Sequence, residues 1–368
     1  MLYLLQVFIN YIIGKFKSNA VIPAIFGVGI LAYYAGTMQT DFSFDTLAYQ
    51  NYYNQVNNYF NIGLNSRFEF GFKYLNLLGG IFGLDYQSFR IISFLIFFLI
   101  FLLAVQRLST NISKFVATYS IIPFFSDVTQ VRNFFMMTLV LLAYSMLNKK
   151  DTLHYVSSVL LILMGASIHS TGYLFLIGLV LFKLDIHQLK KVLLLAIPIE
   201  VVFLVVLKII NPTFLIKAVE IVMSKSGRDT VDTVAISSGI NFLQFVQYLV
   251  LVLLMIWVIY LKSGVSSFLQ SKKSLLVLFI VELLTFPLII FSVGSFSRLV
   301  RAGFVTLLIF NASKKESKIN NDYSNKIQID QILFIGVYIL GMFTFDGGII
   351  GGSQFAQYIP YILHFKGQ

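Results

Sequence analysis

The sequence predicts an all-α polytopic membrane protein with about 12 transmembrane helices, in a range of roughly 11–14. Of its 368 residues, 58% are hydrophobic and only 12% are charged, and the mean hydropathy is +0.83. Apolar runs such as 91–105 and 192–210 approach the length needed to cross a hydrocarbon core of about 30 Å. The runs lack the alternation of barrel strands, so only helices can satisfy their backbone amides within a bilayer.

The lengths of the apolar runs place the helices in chain order. They are predicted near 2–14, 20–38, 88–106, 112–126, 131–147, 153–168, 171–183, 191–210, 240–261, 274–293, 298–311 and 329–345. The first run lacks a basic start and a small-residue cleavage site, so we interpret it as a helix rather than a cleavable signal. Segment 69–84 is short and interrupted by glycines, and is therefore predicted to be re-entrant or interfacial, as is 347–365. We expect a single integral membrane domain, 1–368.

Basic residues in short loops predict which side of the membrane each loop faces. They are Lys15, Lys17, Arg107, Lys114, Lys149, Lys150, Lys183, Lys190, Lys191, Lys262, Lys272, Lys273 and the polar run Lys314–Lys326. They fall on one side, which the positive-inside rule makes cytoplasmic, provided that 69–84 does not cross. The polar loop 313–327 is then cytoplasmic, and loops 39–87 and 211–238 lie outside. Because the net charge of +11 resides in these short loops, we expect no nucleic acid partner.

The opposite side receives arginines, carboxylates and a histidine at the ends of predicted helices. They are Asp41, Asp45, Arg67, Glu69, Arg90, Asp127, Arg132, His169, Arg298 and Arg301. Lysine-rich loops are enough to orient a membrane protein, whereas this mixture of both charges indicates a functional site on the outer face.

Asp45, Tyr49 and Tyr53 are spaced four apart, so they share one face if 44–60 is helical. A carboxylate accepts hydrogen bonds from sugar hydroxyls or takes a proton from one, and phenol rings stack on sugar rings. Asp45 is therefore a candidate catalytic residue, and both tyrosines, with Arg67, are candidate sugar-binding residues. The alternative is an interfacial aromatic belt with a capping aspartate.

Glu69 stands among the aromatic residues Phe68, Phe70 and Phe72, with Gly71 between the last two. Desolvation by aromatic neighbours suits a carboxylate to act as a general base, although the neighbouring arginine opposes this effect. Glu69 is therefore a second candidate base. The alternative is an arginine–glutamate pair that anchors a re-entrant segment.

Arg90, Arg132, Arg298 and Arg301 each lie at the outer end of a predicted helix. Guanidinium groups bind phosphate oxygens in a bidentate manner, and the last two arginines are three residues apart, on one helical face. All four are candidate phosphate-binding residues. Snorkelling to the interface is the alternative, although outer arginines oppose the positive-inside bias.

His169 ends an apolar helix, where it is suited either to shuttle a proton or to bind phosphate, or else packs as a hydrogen-bonded core residue. With four histidines that do not cluster and no cysteine, the sequence predicts no metal site and no cofactor. Walker, dinucleotide-binding and nucleophile-elbow motifs are missing from the sequence. An activated substrate is therefore expected to reach the site from the membrane.

Five motifs occur in a fixed order along most of the chain. They are Asp45-xxx-Tyr49-xxx-Tyr53, Glu69-Phe70-Gly71-Phe72, Arg132-Asn133, Ala166-Ser167-x-His169-Ser170 and Arg298-Leu299. In this order they resemble the EpsG family, which is similar to Wzy-type polymerases of exopolysaccharides and O-antigens. Family members often carry proline after the glutamate and glutamine after the arginine, where this chain has Phe70 and Asn133. These departures bear on subfamily and substrate.

The resemblance implies a glycosyltransferase of GT-C-like architecture in the bacterial inner membrane, with its active site facing the periplasm. Both donor and acceptor would be undecaprenyl-diphosphate-linked oligosaccharides, and a chain-length regulator and a flippase would be partners. The implied roles are diphosphate binding by Arg132, Arg298 and Arg301, with Arg90 as a further candidate, proton abstraction by Asp45 or Glu69, and support by His169. No cofactor is implied.

Two other functions use similar features. An O-antigen ligase takes the same donor, but such proteins usually have a large periplasmic segment late in the chain, and 211–238 is modest. A lipid-linked oligosaccharide flippase or other transporter should carry charges at mid-membrane depth. Glu200, Lys208 and Glu282 are the clear intramembrane charges here, whereas the other polar residues lie at one face, which favours a surface reaction.

Overall fold

The computed structural model describes residues 1–16, 20–38, 44–59, 68–121, 123–148, 151–210, 242–262, 272–290, 293–313, 333–341 and 344. Every regular element that these residues form is a helix, so the predicted all-α class is confirmed. Residues 347–365, 211–238 and Arg67, for which predictions were made, lie outside the described residues.

The helices follow one another through short connections in most of the described chain. They are α1 (Leu2–Phe16), α2 (Val21–Thr37), α3 (Phe44–Tyr59), α4 (Phe70–Ile81), α5 (Tyr86–Leu108), α6 (Ile112–Ile121), α7 (Pro123–Thr129), α8 (Val131–Met146) and α9 (Thr152–Ile168). A 3₁₀ helix (Ser170–Phe175), α10 (Leu176–Leu181), α11 (Ile186–Ile210), α12 (Phe242–Lys262), α13 (Lys273–Leu284), a second 3₁₀ helix (Phe286–Ile290) and α14 (Val293–Ala312) follow. Residues 333–341 are also helical.

The 23-residue helix α5 is, within the described ranges, the one element both long and apolar enough to cross a membrane by length and composition. Shorter apolar helices accompany it, among them α1, α2, α8 and α9. The predicted number of membrane crossings therefore stays a prediction. Segment 69–84, predicted to be re-entrant or interfacial, contains the 12-residue helix α4.

Three predicted helices differ from the helices of the structure. The helix expected over 112–126 is two helices, and α7 begins at Pro123, because proline lacks an N–H and fits the first position of a helix. The helix expected over 274–293 ends at Leu284, and a 3₁₀ helix that contains Pro287 follows. The helix expected over 171–183 begins as a 3₁₀ helix.

Aspartates cap the N-termini of three helices. Asp85 accepts a hydrogen bond from the backbone N–H of Ser88 at 2.7 Å at the start of α5, and Asp151 accepts one from His154 at 2.8 Å at the start of α9. Before α11, Asp185 and Gln188 cap each other's backbone N–H in a reciprocal capping box. These caps fix where the apolar helices begin.

Backbone contacts divide the chain into two compact units. The first comprises Met1–Leu176, Leu308–Lys314 and Asp346–Gln368, and the second comprises Ile177–Leu307 and Lys315–Phe345. In the second unit, α11 packs against α13 and the second 3₁₀ helix. The single membrane domain expected from the sequence stays a prediction.

The core of the first unit is a layer of helices in which α2 packs along α5, α5 along α8, and α8 along α9. Aromatic rings fill it, and one pair, Phe97 and Phe135, stacks with 3.9 Å between centroids. Helix α4 packs against both α3 and α9. This arrangement brings the residue before α4 near the start of α8 and the end of α9.

Candidate functional site

A buried ion pair joins Glu69 and Arg132 in the first unit. The Arg132 Nη1 donates a hydrogen bond to the Glu69 Oε2. Arg132 is the second residue of α8 and Glu69 directly precedes α4, and their side chains are only 9% and 14% exposed. The sequence predicts different roles for these residues, whereas the structure places them in direct contact.

The second oxygen of the same carboxylate is also engaged. Glu69 Oε1 accepts a hydrogen bond from the backbone N–H of Ser170 at 3.1 Å. Although Glu69 is the N-cap residue of α4, its side chain makes no capping hydrogen bond to its own helix. It binds instead to the first residue of the 3₁₀ helix after α9. The carboxylate therefore connects α4, α8 and the end of α9.

Aromatic rings surround the guanidinium of Arg132. Its central carbon lies 4.8 Å from the ring centroid of Phe68, 5.6 Å from that of Tyr49 and 5.9 Å from that of Phe72. These distances allow cation–π attraction, which strengthens when the cation is shielded from water. The Tyr49 phenol also forms a hydrogen bond with the guanidinium, and the Asp45 carboxylate interacts with it electrostatically.

Gly71 permits the close approach of α4 to α9 that this arrangement requires. A Cβ atom at this position would lie 2.8 Å from the backbone carbonyl oxygen of Ser167 and closer still to its side-chain hydroxyl. Real Cβ atoms do not come so near, so any larger residue would push the two helices apart. The glycine in the Glu69-Phe70-Gly71-Phe72 motif therefore has a packing role that positions the carboxylate.

Helix α3 forms as its spacing predicts, and its two candidate tyrosines point to different neighbours. Tyr49 faces Arg132, as described above. Tyr53 donates a hydrogen bond to the Leu84 carbonyl at 2.7 Å, and its ring stacks on Phe89 with 4.7 Å between centroids. Burial raises the pKa of the Tyr53 phenol, a hydrogen bond from Asn57 opposes this shift, and the Asp85 carboxylate adds to it.

His169 lies between α9 and the following 3₁₀ helix, and it is buried. Its Nδ1 accepts a hydrogen bond from the Thr171 N–H at 3.3 Å and lies 2.8 Å from the Thr171 hydroxyl. An Nδ1 that accepts an N–H carries no proton, so the neutral ring has its proton on Nε2. The next residue, Ser170, donates its N–H to Glu69, so His169 directly precedes a residue that binds the Glu69–Arg132 pair.

Arg90, another candidate phosphate-binding residue, contacts the end of α2. Its Nη1 donates a hydrogen bond to the carbonyl oxygen of Met38, the C-cap residue of α2, at 2.8 Å. Its guanidinium also lies 5.6 Å from the ring centroid of Tyr86. A cation at the C-terminus of a helix is favourable, so these contacts give Arg90 a structural role.

The second unit contains a separate polar cluster on α12 and α14. The Tyr248 phenol interacts electrostatically with Arg301, forms a hydrogen bond with Ser297 and lies 3.4 Å from the Thr344 carbonyl oxygen. Arg301 is buried, whereas Arg298, one helical turn earlier, is partly exposed. Tyr248 was not among the residues predicted from the sequence, although the polar pair Gln247-Tyr248 in a largely apolar helix was an available signal.

Glu282 on α13 is fully buried in the same unit. Its Oε1 accepts a hydrogen bond from the Thr306 hydroxyl on α14 at 3.1 Å.

Among the described residues, no three histidine, cysteine, aspartate or glutamate side chains come together as a metal-binding group.

The family comparison covers nearly all of this architecture. The model of the EpsG family matches residues 21–363, from the start of α2 through both units. The chain belongs to the EpsG family. No curated protein and no solved structure matches it. Membership confirms the family predicted from the five motifs, and it indicates a membrane protein with a function of the polysaccharide-polymerase type.

The structure places the EpsG motifs of this chain in both units. Tyr49, Glu69, Arg132 and Ser170 meet in the first unit. Arg298, of the last motif, lies in the second unit. The contacts in the first unit therefore join residues of four of the five motifs.

Proposed function

We propose that this EpsG-family chain is a polysaccharide polymerase that joins undecaprenyl-diphosphate-linked oligosaccharide repeat units of an O-antigen or exopolysaccharide. The observation that carries the proposal is the buried ion pair between Glu69 and Arg132. Aromatic rings surround its guanidinium, and the Asp45 carboxylate interacts with that guanidinium electrostatically. Carboxylates, a guanidinium and aromatic rings are the groups that a glycosyl transfer from a diphosphate donor requires.

In the proposed reaction, a hydroxyl oxygen of the acceptor sugar attacks the anomeric carbon of the donor. The bond from that carbon to the diphosphate oxygen breaks, and its electron pair leaves with the lipid diphosphate. The proton of the attacking hydroxyl passes to a carboxylate, either Asp45 or Glu69. Guanidinium groups stabilise the charge that develops on the leaving diphosphate, because preorganised donors are most effective where charge appears.

Arg132, Arg298 and Arg301 are the proposed diphosphate-binding residues. Arg298 and Arg301 lie one turn apart on α14. Ser297 on the same helix and Tyr248 on α12 add hydroxyl groups that can donate to phosphate oxygens. Arg90 is a weaker candidate because its guanidinium already binds the end of α2.

Sugar binding is assigned to the aromatic residues of the first unit. The ring of Tyr49 and its neighbours offers both a stacking surface and a phenol, and these suit the apolar faces and hydroxyls of sugars. The ring of Tyr53 and the side chain of Arg67 are also proposed to bind sugar. His169 is proposed to support the site through its neighbour Ser170, which holds Glu69.

The lysine distribution supports a multi-pass orientation in the bacterial inner membrane with the site facing the periplasm. Lipid-linked repeat units would then reach the site within the membrane, after a flippase has delivered them, and a chain-length regulator would be a further partner. No nucleotide sugar or nucleic acid is required.

A lipid-linked oligosaccharide flippase is the second candidate function. The observation that favours it is Glu282, which is fully buried on α13 and bonded to Thr306. Ionisable residues inside membrane proteins often mark transport pathways. Loss of a flippase would remove the glycan from the cell surface, whereas loss of a polymerase would leave single repeat units there.

Gel electrophoresis of surface polysaccharide tests the proposal directly. A deletion strain would be complemented with the wild type, Asp45→Ala, Glu69→Ala, Arg298→Ala or the control Arg107→Ala at matched protein levels. A ladder that collapses to one repeat unit in the deletion strain and in the site variants supports polymerisation. An unchanged ladder in the deletion strain removes the polymerase function, and bare lipid core would indicate a flippase or a ligase instead.

A further inference from the structure

Glu69 is poorly placed to accept a proton during the reaction. One of its oxygens binds the Arg132 guanidinium and the other binds the Ser170 N–H. Protonation of this carboxylate would remove the negative charge that compensates a buried guanidinium. Leaving one member of a buried ion pair without its partner is strongly destabilising. The catalytic base must take up a proton in every cycle, so Glu69 is poorly suited to be that base.

The same contacts suit Glu69 to hold Arg132 in one orientation. An arginine side chain has several rotatable bonds, and the planar guanidinium must face a phosphate correctly to bind it through two N–H groups. The rings of Phe68, Tyr49 and Phe72 confine the guanidinium, and Glu69 fixes its rotation. The buried Nε of Arg132 has no hydrogen-bond partner in the described part of the chain, so a donor remains for an anionic oxygen.

Asp45 is the other carboxylate that interacts with this guanidinium. It lies in the first turn of α3, one turn before Tyr49, and it is half-buried. The titratable groups that interact with the Arg132 guanidinium are Asp45 and Tyr49 on α3 and Glu69 directly before α4. His169 lies at the end of α9. Of the two candidate bases, Glu69 is the one whose carboxylate binds both the Arg132 guanidinium and the Ser170 N–H.

We infer that Glu69 is a positioning residue that acts through Arg132, and that Asp45 is the base of the transfer. This inference rests on the proposed polymerase function. The acceptor oxygen bonds to the anomeric carbon, the bond from that carbon to the diphosphate oxygen breaks, and the hydroxyl proton passes to Asp45. Arg132, held by Glu69, presents its remaining N–H groups to a diphosphate oxygen.

Steady-state kinetics of the purified protein with lipid-diphosphate-linked repeat units test this assignment. We expect Glu69→Gln to raise the donor KM about 10-fold, as for a weakened charge-assisted hydrogen bond, and to keep the acidic limb of the kcat–pH profile. Asp45→Asn should instead lower kcat by about 10²–10⁴-fold with little change in donor KM. A Glu69→Gln protein that loses kcat to this extent, together with the acidic limb, would overturn the inference.

A double-mutant comparison separates action through Arg132 from independent action. If Glu69 works through Arg132, the Glu69→Gln/Arg132→Gln double variant should be no less active than Arg132→Gln alone. Losses in kcat/KM for the donor that multiply in the double variant would show that Glu69 acts independently and would overturn the inference.

A variant of Ser170 tests the same inference if the Glu69 variants do not fold. Ser170→Pro removes the N–H that binds Glu69, and proline is tolerated at the first position of a helix. The preceding residue, His169, already has the extended backbone that a following proline requires, with φ −147° and ψ 120°. We expect Ser170→Pro to raise the donor KM, whereas the control Arg107→Ala, at the exposed end of α5, should keep it.

Different results would overturn the polymerase function and the assignment of Glu69 and Asp45. A wild-type protein that does not extend the repeat units would overturn both the polymerase function and the inference. An active wild type with an unchanged donor KM in both Glu69→Gln and Ser170→Pro would overturn the inference alone.

Discussion

Glu69, directly before α4, forms a buried ion pair with Arg132, the second residue of α8, across 63 residues of sequence. Transfer of two charges out of water is costly, so such a pair contributes little net stability by itself. Loss of one partner is nevertheless strongly destabilising, because the other charge is left buried. Variants of this pair must therefore be judged on both stability and activity.

Arg132→Ala should lower polymerisation by about 10²–10³-fold, the usual effect of removing one donor that stabilises developing negative charge. It should also lower the thermal unfolding midpoint, because the Glu69 carboxylate is left without its guanidinium. The double variant Glu69→Ala/Arg132→Ala should recover much of the midpoint but none of the activity. Unfolding of the purified protein in detergent and the surface polysaccharide ladder measure the two effects.

Arg107→Ala is the matched control for this experiment. Arg107 lies in the last turn of α5 and is exposed, so its removal should leave the midpoint and the ladder unchanged. A full ladder from Arg132→Ala at normal protein level would contradict a diphosphate-binding role for Arg132.

The positions of many helices were predictable because capping residues stand at the ends of the apolar runs. Helix α5 was expected over 88–106 and occupies Tyr86–Leu108, starting two residues earlier because Asp85 caps it. The breaks were harder to predict. Pro123 was visible in the sequence, but an apolar run on both sides of it made one continuous helix over 112–126 the simpler interpretation.

The members of the candidate site were predictable, but their partners were not. Charge and aromatic spacing identified Glu69, Arg132 and Tyr49 separately. Their contact depends on how α4 packs against α3 and α9, which is a long-range property that periodicity does not report. Tyr248 was missed for a related reason, since its significance arises from its neighbour Arg301 on another helix.

Tyr49 and Tyr53 should respond differently to loss of the phenol. Tyr49→Phe removes a hydrogen bond to a guanidinium, so we expect polymerisation to fall by about 10–100-fold, as for a hydrogen bond to a charged group. Tyr53→Phe removes a hydrogen bond to the Leu84 carbonyl and should cost about 0.5–1.5 kcal/mol of unfolding free energy while the ladder persists. Equal losses of activity in both variants, at equal protein levels, would contradict this division.

Asp85 should make the start of α5 sensitive to acid. Hydrogen bonds from Ser88 hold the pKa of this carboxyl below its usual value. Its contribution to stability is therefore fully present above the unfolded-state pKa and is lost as the pH falls through the folded-state pKa. We expect Asp85→Ala to lower the unfolding midpoint at pH 7, and its difference from the wild type to shrink in acid. Asp85→Asn, a good neutral cap, should keep the midpoint at pH 7. If the wild type and Asp85→Ala differ equally at all pH values, the carboxylate cap is not the cause.

Gly71→Ala tests whether the approach of α4 to α9 positions the carboxylate of Glu69. The added methyl would meet the Ser167 backbone carbonyl at 2.8 Å, and backbone cannot rotate away as a side chain can, so the helices must separate. Overpacking of this kind costs about 1–3 kcal/mol. The separation should also weaken the bond between Glu69 and the Ser170 N–H, so both the unfolding midpoint and the polysaccharide ladder should decline. Gly29→Ala on α2 is the control, because nothing lies within 4 Å of its added Cβ and alanine favours a helix over glycine. A Gly71→Ala protein as stable and active as Gly29→Ala would show that the site does not depend on this contact.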